Sequence, residues 1–230
     1  MLDKEFEAYL TYDWGVDPKA LEPVDDAIVA SHGDAAARKD LETRIAAVLT
    51  SKAPRAAKDY ACRQLRTIGT AASVPVLAAF LMDEELSHMA RYALERIPDP
   101  EAGTAMRNAL PKAAGKLKIG LISSLGVRGE ADSVATMKSL LGDRDGAVAC
   151  AAAHALGAIG SSEASKALAS AKTNAAAKEA VADALLICAE NVLAAGRKSD
   201  AKAIYQWVSK NSTSEPAKHA AELGAKACDG

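Results

Sequence analysis

From residue 34 onward the apolar positions of this chain recur at helical spacing, and the helices they outline recur in turn. A helix over about residues 34–51 carries Leu41, Ile45, Val48 and Leu49, the i, i+4, i+7, i+8 stripe of an amphipathic helix. Pro54 is placed to open the next helix, because a proline at the first helical position gives up an amide that has no partner within the helix anyway. A leucine then returns with nearly the same neighbours at Leu65, Leu94, Leu125 and Leu156, at intervals of 29, 31 and 31 residues. Around it stand Gln-Leu-Arg-Thr-Ile-Gly at 64–69, Ala-Leu-Glu-Arg-Ile-Pro at 93–98, Ser-Leu-Gly-Val-Arg-Gly at 124–129 and Ala-Leu-Gly-Ala-Ile-Gly at 155–160. Self-similarity at such a period marks a stack of helical units, each burying its apolar face against its neighbours.

The punctuation agrees with this reading. Breaks fall at Pro98-Asp99-Pro100, Gly115, Gly129, Gly142 and Gly160, residues that end or redirect helices. Asp83 and Asp145 each stand three residues before an apolar position, Leu86 and Val148, where a carboxylate can accept hydrogen bonds from the free amides of a helix start. Helix pairs are expected over about 101–127, 131–159 and 163–195. The resulting expectation is an all-α, right-handed solenoid of stacked antiparallel helix pairs, capped at both ends. It divides into an aromatic cap over 1–33, repeats over 34–174 and a last hairpin with a closing helix over 175–230, all in one continuous array. The cap is expected to be a core plug: Phe6, Tyr9, Tyr12 and Trp14 lie within the first fourteen residues, and a terminal repeat must cover an apolar end that has no neighbour.

The segment Val148-Ala149-Cys150-Ala151-Ala152-Ala153-His154-Ala155-Leu156-Gly157-Ala158-Ile159-Gly160 resembles the second helix of bacterial HEAT repeats of the phycobilisome-lyase type. It departs from that pattern at Ala149, where the family has arginine, and Arg128 takes the place of the final isoleucine in the preceding copy. The resemblance covers about residues 34–190 and implies a HEAT-like solenoid. The helices on either side of Gly196, the second bearing Ile204, Tyr205 and Val208, look like a tetratricopeptide hairpin.

Composition narrows the interior and the partners. Alanine occurs 53 times against nine aromatic residues, so the helices must approach closely through small side chains; alanine favours helix and is depleted in strands. A net charge of −2 and a pI near 6.1 give no global basic field for phosphate backbones, so no nucleic-acid partner is expected. No apolar run approaches the roughly 18 residues that would span a bilayer, and the beginning of the chain lacks a signal-peptide core; a soluble, cytoplasmic protein without a membrane partner is expected. The cysteines Cys62, Cys150, Cys188 and Cys228 are scattered and read as small helix residues.

No catalytic constellation emerges: there is no GxSxG, no Walker loop, no GxGxxG after a strand and no HExxH. Deoxyhypusine hydroxylase, a helical-repeat metalloenzyme, uses repeated His-Glu pairs, whereas His32, His88, His154 and His219 are each followed by another residue. No cofactor, no metal and no enzymatic activity are therefore expected. The resemblance implies a non-catalytic scaffold or adaptor that binds a protein or peptide, with an auxiliary lyase or chaperone of the phycobilisome-lyase type as the alternative and a HEAT-like DNA glycosylase a more distant one.

The resemblance also places the second helix of each pair on a concave face, where positions six before, two before and two after the leucine share one side by four-residue spacing. These are Asp59, Arg63 and Thr67, then His88, Tyr92 and Arg96, then Ile119, Ser123 and Val127, then Cys150, His154 and Ala158. Glu179, Asp183 and Ile187 continue the stripe if Leu185 is a fifth anchor. Arg63, Tyr92 and Arg96 form its most ligand-like group, as aromatic residues and arginine dominate binding hot spots. Lys58, Lys118 and Lys178, seven before the anchor, are expected to form a ladder of pairs with acids.

Overall fold

The computed structural model describes residues 3–229, and every regular element among them is helical. The helices are α1 (Asp3–Thr11), α2 (Glu22–Ala30), α3 (Ala35–Thr50), α4 (Arg55–Ile68), α5 (Val74–Ala78), α6 (Ser87–Leu94), α7 (Pro100–Ala109), α8 (Gly115–Arg128), α9 (Val134–Leu140), α10 (Gly146–Ile159), α11 (Ser162–Ser170), α12 (Lys178–Ala194), α13 (Lys198–Asn211) and α14 (Glu215–Ala227). They form two compact units, meeting in sequence at Ala113 and Ala114.

In the first unit α4 packs on α6 as a layer of second helices, while α3 packs on α5 and α5 on α7 as a layer of first helices. In the second unit α8, α10 and α12 pack successively, α9 packs on α11, and α13 and α14 close on α12. This two-layer stacking is that of an α-solenoid. Several helices are started by a side chain that satisfies free amides. Asp34 accepts from Ala36 and Ala37, Asp99 from Glu101, Asp145 from Ala147 and Ser161 from Ala164, and Asp83 accepts from Glu85 and Leu86 before α6. Pro54 is the residue just before α4, one position earlier than expected. Gly129 and Gly160 end α8 and α10 in the left-handed region at φ 69° and 63°, where a side chain would be strained.

The recurring leucines are the core. Leu65, Leu94, Leu125 and Leu156 are fully buried and Leu185 is 1% exposed. Residues beside the leucine face the neighbouring copies. A Cβ on Gly126, one after Leu125, would lie 2.7 Å from the Cα of Ala155, and one on Gly157 would lie 3.0 Å from the Cα of Ala184. Both contacts run from the position after one leucine to the position before the next, which makes Leu185 the fifth anchor. Small residues at these sites allow the second helices to approach.

In the first copy the position before the leucine is Gln64, and what precedes it is the cap. Tyr9 Oη donates to Gln64 Oε1 at 2.7 Å, Gln64 Nε2 donates to Asp25 Oδ1 at 2.7 Å, and Tyr60 Oη donates to Asp25 Oδ2 at 2.5 Å. Phe6 and Tyr9 are buried, with Arg44 over the Phe6 ring, as a plug requires; Trp14, by contrast, is 63% exposed, so the aromatic cluster does not act as one body. Glu42 makes a second buried tie in this unit. Its carboxylate accepts from the amide and hydroxyl of Thr70 and from the hydroxyl of Ser73, fastening α3 to the turn before α5.

The lysine ladder does not form as a series. Lys118 pairs with Asp143 at 2.9 Å, but Lys58 lies over the Phe80 ring and Lys178 is exposed. An acid within reach is needed at each step, and only the turn after α9 supplies one.

Candidate interaction face

The second helices carry the candidate site because their leucine side is used up in packing, leaving the positions two before and two after it to solvent. In the first unit Arg63, Thr67, His88 and Arg96 are exposed. No ion pair or hydrogen bond engages the guanidinium of Arg63 or Arg96 among the described residues. Other arginines are held: Arg44 pairs with Asp3 and Arg55 with Asp59 and Glu85, while Arg38 donates to the carbonyl of Thr67.

Two residues of the stripe sit differently from the sequence expectation. Asp59 is buried, 7% exposed, with its nearest ion-pair atom the Arg55 Nε at 3.8 Å. It lies in the second turn of α4, a helix packed against α3 and α6, and borders the face without presenting itself. Burial pushes its carboxyl above the ordinary range, against the opposing pull of Arg55, Arg63 and His88. Tyr92 is half-buried, and the guanidinium that covers its ring is that of Arg66, 4.4 Å from the centroid. Arg66 stands one after its leucine, the position that faces the next copy. The guanidinium stacked on Tyr92 thus comes from Arg66 on α4, a residue outside the expected group of Arg63, Tyr92 and Arg96.

Arg63 and Thr67 also line a depression of about 340 Å³ with Asp25, Tyr60, Ile28 and Val29. Asp25 lies on α2, 39 residues before Gln64, and no spacing in the sequence signals that it reaches this surface. Burial, together with the hydrogen bond to Asp25, pushes the Tyr60 phenol above its ordinary value, so it remains a donor at physiological pH.

In the second unit the stripe runs across three adjacent helices. Ser123 and Val127 on α8, His154 and Ala158 on α10, and Asp183 and Ile187 on α12 are exposed, with Ile119 and Cys150 half-buried. Val127 is 59% and Ile187 48% exposed, so the face has apolar points at its two flanking helices and small residues between. Among the described residues, no three or more of His, Cys, Asp and Glu come together in a metal-binding arrangement, and no helix is long and apolar enough to cross a membrane.

Comparison with known proteins bears on the repeats. No curated protein sequence matches this chain. Among solved structures, human deoxyhypusine hydroxylase in complex with glycerol is similar at 15% sequence identity and a TM-score of 0.41, over 99% of this chain and 96% of that chain. Residues 104–186, from within α7 to within α12 and including the Leu125 and Leu156 copies, match the family model for HEAT repeats.

Proposed function

We propose that this protein is a non-catalytic scaffold that binds a protein or peptide along the outward face of its second helices. The observation that carries the reading is the exposed stripe two before and two after each buried leucine. Stacking buries the leucine side of each helix, whereas this stripe holds guanidinium groups at Arg63 and Arg96 that no ion pair or hydrogen bond engages among the described residues, and exposed apolar side chains at Val127 and Ile187. Helical repeats build such surfaces for macromolecular partners, and arginine is among the side chains that most often anchor them. The HEAT match over residues 104–186 supports the same reading.

The test is affinity capture from the native host with the parent and with an Arg63→Ala/Arg96→Ala/Val127→Ala/Ile187→Ala variant, read by mass spectrometry. A partner retained by the parent and lost from a variant of unchanged helicity and stability supports the proposal. Equal capture by both would move the contact away from this face, and a bilin-bearing partner whose spectrum changes on binding would support an auxiliary lyase instead.

A further inference from the structure

A cavity in the second unit is independent of the stripe. It lies where the end of α11, the start of α12 and the end of α13 converge, and its volume is about 260 Å³. Leu168, Val181 and Ala182 make an apolar floor and Trp207 forms one wall. Lys178 and Thr213 stand at its polar edge, and none of the residues lining it is acidic. The Lys178 ammonium has no ion-pair or hydrogen-bond partner among the described residues.

We propose that this cavity binds a small organic acid, an aromatic or short aliphatic group bearing one carboxylate. The size selects a small molecule, since the volume falls below the roughly 300 to 1,000 Å³ of common ligand sites. The floor and the indole favour an apolar body, which can lie against the Trp207 ring face in offset stacking if it is aromatic. The sign of the charge follows from the polar edge. A lone ammonium uncompensated by any lining acid attracts an anion and repels an amine, and the Thr213 hydroxyl can donate to a carboxylate oxygen. A neutral alcohol gains only the apolar part.

The chain has two tryptophans, Trp14 and Trp207. Because Trp14 is 63% exposed, Trp14→Phe leaves Trp207 as the single reporter at little structural cost. In that background the full chain is titrated with 3-phenylpropionate, 3-phenylpropan-1-ol and 3-phenylpropylamine, with indole emission excited at the red edge where phenyl groups do not absorb. The expected result is a saturable change with the acid, at least about threefold weaker binding of the alcohol, and weaker binding still of the amine, the range an exposed ion pair supplies. Lys178→Gln should weaken the acid by about threefold or more and leave the alcohol unchanged; circular dichroism checks that this exposed substitution leaves the fold intact. The proposal is overturned if the acid gives no saturable change, if the alcohol binds as tightly as the acid, or if Lys178→Gln binds the acid as the parent does.

Discussion

Gly126 on α8 and Ala155 on α10 approach so closely that a Cβ on the glycine would sit 2.7 Å from the alanine Cα and 2.9 Å from its Cβ. The first atom met is backbone, so relief requires the helices to move apart. Gly126→Ala gains about 1 kcal/mol of helix propensity, yet overpacking costs about 1 to 3 kcal/mol and should prevail, for a net loss of stability in urea denaturation. Gly157→Ala, with its closest contact at 3.0 Å, should cost less. If Gly126→Ala stabilises the protein, α8 and α10 have room to move apart at little cost.

The anchor itself should be costlier to remove. Leu156 is fully buried, and truncation of such a leucine to alanine costs about 2 to 5 kcal/mol through lost transfer energy and a residual cavity. A loss under about 1 kcal/mol, measured the same way, would place the core elsewhere.

Gln64 joins the cap to the first repeat. Tyr9→Phe removes one hydrogen bond but frees Gln64 Oε1 only, and should cost about 1 kcal/mol. Gln64→Leu leaves the hydroxyl of the fully buried Tyr9 without a partner and also removes the donor to Asp25 Oδ1, and should cost more, about 1 to 3 kcal/mol. Adding Tyr9→Phe to Gln64→Leu should then recover part of the loss. Strict additivity in this double-mutant cycle would show the two side chains to be uncoupled.

Asp59 and Asp143 should respond to pH with opposite signs. Burial raises the folded pKa of Asp59 above its ordinary 3.8, so the folded state holds that proton more tightly. Its contribution to stability is present below the unfolded value and lost as pH rises through the folded one. Asp59→Asn should therefore stabilise the protein at about pH 7 and have little effect at about pH 3. A hydrogen bond from the Asp145 amide, and then one from Lys118, hold Asp143 below 3.8. That stability is present above the unfolded value and lost as pH falls through the folded one, so Asp143→Asn should destabilise at neutral pH, by less than about 1 kcal/mol at this solvent-screened, half-buried site. Denaturation midpoints at the two pH values check both signs.

The cysteines should differ in reactivity, because the thiolate is the nucleophile. Burial pushes the thiol of Cys62 up to about 12 and that of Cys188 up to about 11, while Cys150 is half-buried. A thiol reagent followed by peptide mapping should label Cys150 first and reach Cys62 and Cys188 only on unfolding. Early labelling of Cys62 would mean that the first repeat opens readily.

By itself the sequence determined the repeat. A leucine every 29 to 31 residues can be buried in one common setting only if the helices that carry it stack, and the caps at Asp83 and Asp145 are local chemistry that needs no distant partner. Four-residue spacing likewise marks Arg63, Thr67, His88 and Arg96 in the first unit, and Ser123, Val127 and His154 in the second, as outward-facing. What the spacing could not supply was which neighbour each side chain meets. Asp59 obeys the same period yet is buried, on a helix packed against both α3 and α6. Tyr92 is claimed by Arg66, which only the packing of α4 on α6 brings over its ring. Asp25 reaches Gln64 and Tyr60 across more than thirty residues, and the Trp207 cavity exists only where α11, α12 and α13 converge. Helical periodicity fixes the direction of a side chain about its own axis, but burial, pairing and cavities are properties of two or more axes and were decided by the tertiary structure.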